Sequence, residues 1–324
     1  QEFYTNRTLV HLMTLMLEPP PGESVYDPTC GTGGMLISTA AEVKRQGKEW
    51  RNLKLYGQEL NYGTSAIARM NLFLHGIADG QIAHGDTLTR PGFLNSKGGL
   101  QTFDVVLANP PYSIKAWNRD VFANDPYGRN MWGVPPQGRA DYAFFQHIAK
   151  SLDPQTGRAA ILFPHGVLFR REEAALREAL VKSDLIESVL GLGAGLFYNS
   201  PMEAVVITLR ATKPVEHKGK VLFINAVNDV AREQAQSFLR ESHQTKILNT
   251  YRGFTDVDHF AAAANLDQIA DKGYSLAIPL YVSGTTSSGA GEHVDVADAL
   301  VSWRGAADAT ERAVADVLNL LRAE

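Results

Sequence analysis

Residues 103–113 read Phe-Asp-Val-Val-Leu-Ala-Asn-Pro-Pro-Tyr-Ser, an apolar run of strand character that stops on an amide, two prolines and a ring. Adjacent prolines fix φ and remove two backbone donors, so the segment neither continues a sheet ladder nor enters a helix easily. What remains is a stiff bracket of Asn109, Pro110, Pro111 and Tyr112. In isolation it reads as well as a rigid turn as it does as a holder for a ligand.

A second constellation lies upstream. Residues 25–34, "VYDPTCGTGG", form a strand end, a turn and a helix start. Gly31, Gly33 and Gly34 let the backbone approach a ligand and let the helix pack on the strand, with Pro28, Thr29 and Thr32 lining the same turn. No Lys-Ser/Thr pair follows, so this is not a phosphate-cradling loop. Asp27 stands at the strand tip, where a carboxylate repels phosphate and attracts an ammonium group such as that of the methionine moiety of S-adenosylmethionine. The next strand ends in "YGQEL" with Glu59 at the matching tip, the place of an acid that accepts from ribose hydroxyls in nucleoside-binding α/β folds. The third ends in "HGDTL", with Asp86 suited to the adenine amine of the same cofactor. Each acid alone is more often a turn or helix cap. In order on successive strands, with Asn109 on the fourth, they read as the cofactor edge of an open sheet.

The elements that must carry these residues alternate in type. Between residues 8 and 212, apolar runs at 24–27, 53–59, 80–86, 103–108, 158–164, 185–192 and 203–210 alternate with helical patterns such as 33–47 and 63–76. That is the pattern of an α/β, doubly wound, mostly parallel sheet of seven strands. Only residues 193–202 join the last two strands, too few for a crossover helix, so that pair is expected to be antiparallel. A catalytic domain over 1–212 is thus expected, with a C-terminal extension over 213–282 packed on it. This extension holds a strand at 218–226, a mixed helical stretch to about 272 and an extended "IPLYV" at 278–282. Small residues at 283–291 read as a linker. Leu300, Trp303, Ala307, Thr310, Val314, Val317 and Leu321 then make a heptad stripe, either packed on its own domain or binding a partner.

Composition narrows the class. Of the 324 residues 44% are hydrophobic and 20% charged, as in ordinary globular proteins, and no apolar run is long enough for a membrane span. The single cysteine, Cys30, excludes an internal disulfide, suits a cytoplasmic location and leaves no Cys/His cluster for zinc. The net charge of −4 lacks the basic footprint of a protein that grips nucleic acid unaided.

With these residues in order, the chain resembles the amino-group DNA methyltransferases and, more narrowly, the methylation subunits of type I restriction-modification systems. The resemblance runs through "EFYTNR" (2–7), "DPTCGTGG", "YGQEL", "GDTL", "NPPYS", "GRADYAFFQHI" (138–148), "AAILFPHGVLFR" (159–170), "GLFYNSPMEAVVITL" (195–209), "GKVLFINA" (219–226) and "IPLYV". It implies that Glu2, Phe3, Tyr4, Thr5, Asn6 and Arg7 contact the cofactor. Two positions depart from the family: Asn6 stands where Pro is usual, and His165 where Asn is usual. Members also carry a helical domain before this segment, so the chain is expected to be a piece of a longer protein.

The resemblance gives the bracket a use, with the Asn109 oxygen and the Pro110 carbonyl accepting from the N6 amine of a flipped adenine and Tyr112 stacking on the base. The bracket alone also admits cytosine N4. The segment 113–139 then becomes a candidate DNA contact, with Lys115, Arg119, Arg129 and Arg139 interleaved with Trp117, Phe122, Tyr127 and Trp132, although a solvated loop reads nearly as well. The implied partners are double-stranded DNA and a specificity subunit in a hetero-oligomer, with a restriction subunit left open. Competing readings are a glutamine side-chain methyltransferase using the same bracket and a catalytically silent scaffold subunit.

Overall fold

A computed structural model of the chain describes residues 6–196, 203–233 and 236–283. The expected contacts Glu2, Phe3, Tyr4 and Thr5, and the heptad stripe beyond residue 284, lie outside the described residues.

All seven expected strands are present: β1 (Ser24–Asp27), β2 (Lys54–Glu59), β3 (Gln81–His84), β4 (Val105–Ala108), β5 (Arg158–Pro164), β6 (Ile186–Leu192) and β7 (Ala204–Arg210). The sheet is larger than expected, because β8 (Lys220–Ala226) pairs parallel with β6. After the hairpin β9 (Ala231–Glu233) and β10 (Gln236–Phe238), β11 (Ala261–Asn265) pairs antiparallel with β8. The order is β11-β8-β6-β7-β5-β4-β1-β2-β3. As expected, β6 and β7 are antiparallel, and β7 also runs antiparallel to β5. The extra strands have a physical cause. Every residue of β6 is buried, so as an edge strand it would leave buried backbone groups unpaired, and β8 supplies their partners.

The helices are α1 (Arg7–Leu17), α2 (Gly34–Arg45), α3 (Tyr62–Leu74), α4 (Arg119–Ala123), α5 (Asp141–Lys150), α6 (Ala174–Lys182), α7 (Glu241–Gly253) and α8 (Leu266–Asp271). Successive strand residues point to opposite faces, which splits the core in two. Val25, Val105, Leu107, Ala160 and Leu162 pack under α1, α2 and α7, whereas Tyr26, Val106, Ala108, Ala159 and Ile161 pack under α5 and α6. Since both faces are covered, the central strands read as continuous Val/Ile/Leu/Ala runs rather than alternating ones. The "IPLYV" stretch departs from the expected extended form. Ile278–Leu280 is a short 3-10 turn with a proline in its first positions, and the Tyr281 ring stacks on Phe223 at 3.9 Å. Among the described residues, no helix is long and apolar enough to cross a membrane.

Candidate active site

The cofactor edge begins where β1 ends. From Asp27 the chain turns through Gly31 and Gly33, whose φ of 53° and 84° put them in the left-handed region that glycine tolerates, into α2. Asp27 is buried, and its Oδ1 accepts the Thr29 N–H at 3.0 Å. Burial pushes its pKa up to about 7; the Thr29 N–H opposes this and the Glu59 charge adds to it. Beside it the Thr29 hydroxyl oxygen is buried with no hydrogen-bond partner. A poorly compensated carboxylate next to an orphaned hydroxyl suits a cationic, polar ligand.

The second acid is tied to the same loop. Glu59 accepts the Gly31 N–H on Oε2 at 3.1 Å and the Asn61 N–H on Oε1 at 2.8 Å. Asp86 caps its own turn, accepting from Leu88 N–H and from the Thr89 hydroxyl, both at 3.0 Å. That turn is joined to the glycine loop by the Thr87 hydroxyl, which donates to the Pro28 carbonyl at 2.6 Å. It is braced from within by Gln58, a fully buried amide that donates to the Gly85 and Arg90 carbonyls and accepts from Gly92 N–H. The structure therefore brings the three acid turns to one edge. Asn6 closes the N-terminus of α1: its Oδ1 accepts from Thr8 N–H at 2.9 Å and its amide donates to the Ser237 carbonyl at 2.9 Å. A proline there could make neither side-chain bond. Arg7, the first helical residue, is exposed.

The bracket leaves β4, which pairs directly with β1. Asn109 is half-buried, and its Oδ1 accepts the Tyr112 hydroxyl at 2.6 Å. Burial holds the Tyr112 hydroxyl well above its ordinary range, and the Asp141 charge adds to this, so it stays a donor. Pro110 is buried and Pro111 exposed. At the exit, Ser113 takes φ of 50°, rare for a residue with a Cβ, and its N–H donates to Asp141 Oδ1 at 2.8 Å. Asp141, fully buried at the start of α5, takes the Arg170 guanidinium on its other oxygen at 2.6 Å. Arg170 also reaches Glu173 at 3.4 Å; burial raises the Glu173 pKa to about 7 against the pull of Arg170. His165, at the end of β5, keeps a buried Nε2 without a partner, and burial lowers its pKa.

The segment 113–139 is folded rather than loose, and its expected DNA contacts separate. Lys115 is exposed. Arg139 is partly exposed and lies 3.6 Å from Glu172. Arg119 donates to the Pro135 carbonyl and Trp117 to the Gln137 carbonyl. The Trp117 ring packs on Phe122 and the Trp132 ring on Phe145. Arg129 corrects the sequence reading. It is 1% exposed and bound to Asp125, so it offers no guanidinium to a phosphate. The sequence also gave no role to Gln58, Thr87, Asp141 or Arg170. Gln58 carried a signal, since an amide inside an apolar strand must find buried partners.

This strand order, with the antiparallel β7 inserted between β5 and β6 and acid-tipped strands around a glycine turn, defines the fold of the S-adenosylmethionine-dependent methyltransferases. Within that class the chain belongs to the N-6 DNA methylase family, whose profile matches residues 1–289. It is 35% identical over 298 residues to the type I restriction enzyme MjaVIII methylase subunit of Methanocaldococcus jannaschii, covering 87% of this chain and 50% of that protein. With the type I restriction enzyme HindI methylase subunit of Haemophilus influenzae it shares 31% identity over 291 residues, covering 87% of this chain and 63% of the relative. A solved type I restriction-modification methyltransferase subunit from Streptococcus thermophilus superposes with a TM-score of 0.79 at 35% identity, over 87% of this chain and 60% of that one. The chain thus spans about half the length of the Methanocaldococcus relatives it matches.

Proposed function

We propose that this chain transfers a methyl group from S-adenosylmethionine to the N6 amine of an adenine flipped out of double-stranded DNA, as the modification subunit of a type I restriction-modification complex. One observation carries the reading: the acid-tipped strand β1 and the bracket-bearing strand β4 are hydrogen-bonded parallel neighbours, so the turn after Asp27 and the bracket that starts at Asn109 leave the same edge of the sheet from adjacent strands. When bound, S-adenosylmethionine supplies a methyl group on a sulfonium that leaves as a neutral thioether. Asp27 would hold its ammonium, Glu59 its ribose hydroxyls and the Asp86 turn its adenine. Asn6 and Arg7 would act near it from the start of α1.

The chain's own chemistry is positioning. The adenine amine is a poor nucleophile because its lone pair is conjugated with the ring. The Asn109 oxygen and the Pro110 carbonyl would draw on its two hydrogens and favour a pyramidal nitrogen. The Tyr112 hydroxyl now holds the place that the base amine would take at Asn109, and its ring would stack on the base. The prolines and the Ser113–Asp141 bond keep these acceptors preorganised. No strong base is needed, since the proton becomes acidic once nitrogen is methylated.

A paired base cannot reach such a pocket, so the adenine must be extruded. Lys115, Arg139 and the outer parts of Trp117, Arg119 and Trp132 are the DNA-facing candidates that remain. With a net charge of −4, a specificity subunit must supply most of the grip and the sequence reading. A cytoplasmic location fits both that substrate and the lone Cys30.

The test uses the full-length protein with its specificity subunit, tritiated S-adenosylmethionine and unmethylated DNA. Label is expected in N6-methyladenine after digestion. Asn109→Ala is expected to lower transfer by about 100-fold or more with cofactor affinity unchanged. Label in protein rather than DNA, or an unaffected variant, would overturn the assignment.

A further inference from the structure

Arg129 is the bulkiest fully buried side chain among the described residues, and the transfer chemistry makes no use of it. Burying a guanidinium is costly unless every donor is met. Here every guanidinium nitrogen is engaged. Nε and Nη2 donate to Asp125 Oδ1 at 3.0 and 2.7 Å, Nη1 donates to the Thr87 carbonyl at 2.7 Å, and Nη2 donates to the Leu88 carbonyl at 2.7 Å. Nη1 also lies 3.2 Å from His147 Nδ1. Because the guanidinium only donates, Nδ1 accepts, so the proton of the neutral ring is on Nε2, directed at the Tyr26 hydroxyl at 3.1 Å. Burial, with the Arg129 charge, keeps this imidazole well below its ordinary pKa.

These partners lie on two sides of the cofactor edge. Thr87 and Leu88 directly follow Asp86: the Leu88 N–H is capped by that carboxylate, and the Thr87 hydroxyl holds the Pro28 carbonyl. Tyr26 directly precedes Asp27. The third party is the segment after the bracket. Asp125 accepts the Arg129 backbone N–H at 2.6 Å, and the rings of Phe122 and Tyr127 lie 5.5 and 5.4 Å from the guanidinium carbon.

We propose that Arg129 is a positioning residue that couples the DNA-facing segment 113–139 to the cofactor edge, so that cofactor occupancy and order of that segment support each other. The inference rests on the reading of that edge as an S-adenosylmethionine site. Such coupling is reciprocal, and typical values change affinity by about 5- to 150-fold. Lysine cannot replace the fork, because a single ammonium cannot span Asp125 and both carbonyls.

The experiment measures S-adenosylmethionine affinity by calorimetry and hydrogen exchange of residues 113–139 with and without cofactor, on the full chain. The proteins are the wild type, Arg129→Met and the milder Arg129→Lys, each checked for folding by circular dichroism. In the wild type the cofactor is expected to slow exchange in the segment. In a folded variant, affinity is expected to fall by about 10-fold or more, and the cofactor-dependent slowing to disappear. A merely structural role would lower the melting temperature and leave the slowing intact, which overturns the proposal. If Arg129→Met does not fold, Arg129→Lys decides alone: wild-type affinity with full slowing overturns it. A wild type that binds no cofactor instead sinks the reading of the edge, and this inference with it.

Discussion

A carboxylate buried at the tip of β1 is held where the unliganded protein gains nothing from its charge. Asp27 titrates at about 7, pushed up by burial from its ordinary 3.8. The native state therefore holds this proton more tightly than the unfolded chain does. The stability this contributes is full below pH 3.8, falls as pH rises from there, and is gone above about 7. Asp27→Asn is expected to leave the melting temperature almost unchanged at a pH below the ordinary value of 3.8 and to raise it at pH 8. The gain there is at most about 4 kcal/mol. The same variant should lose cofactor binding, because the carboxylate that partners the ammonium is gone. Melting curves at the two pH values, paired with calorimetry, check both halves. A variant less stable at pH 8 would mean that the carboxylate is better compensated than its geometry implies.

The elements around the bracket are fixed by charges that sit far from it in the chain. Ser113 N–H, Asp141 and Arg170 join the exits of β4 and β5 to the start of α5, and the aspartate is fully buried. Removing one member of a buried pair strands the other, so Asp141→Ala is expected to cost about 3–5 kcal/mol in denaturant unfolding. Asp141→Asn keeps an acceptor for Ser113 and should cost less. A loss below about 1 kcal/mol for the alanine variant would show that Glu173 takes over the arginine. The bracket was legible in the sequence because prolines constrain the backbone locally. Asp141 stood in a recognised string, yet its task was not legible, since its partner is 28 residues away. Arg129 was misread for a related reason. Interleaved cations and aromatics look the same whether they face solvent or wrap around a buried guanidinium.

At the scale of the molecule, two strands beyond residue 212, β8 and β11, belong to the sheet. β8 lies between β6 and β11, and α7 sends the Tyr251 hydroxyl to Glu187 of β6 at 2.6 Å. A chain ending at residue 212 is therefore expected to aggregate or to lose cooperative unfolding, whereas one ending at residue 283 keeps a single transition. Solubility and thermal unfolding of the two pieces check this. A well-folded shorter piece would show that β6 tolerates an open edge.

The sequence by itself determined the succession of strands from β1 to β7, the antiparallel β6–β7 pair, the acid tips Asp27, Glu59 and Asp86, and the bracket at Asn109. Each of these is written in short runs where Gly and Pro restrict the backbone and burial dictates residue type. The tertiary structure alone decided the rest. β8 and β11 enlarged the sheet to satisfy β6, Gln58 and Thr87 tied the acid turns together, and Arg129 turned inward. Those outcomes depend on carbonyls and carboxylates distant in the chain, as with Thr87 and Arg129, 42 residues apart. A buried polar group declares that it needs partners, but only the folded chain says which ones it finds.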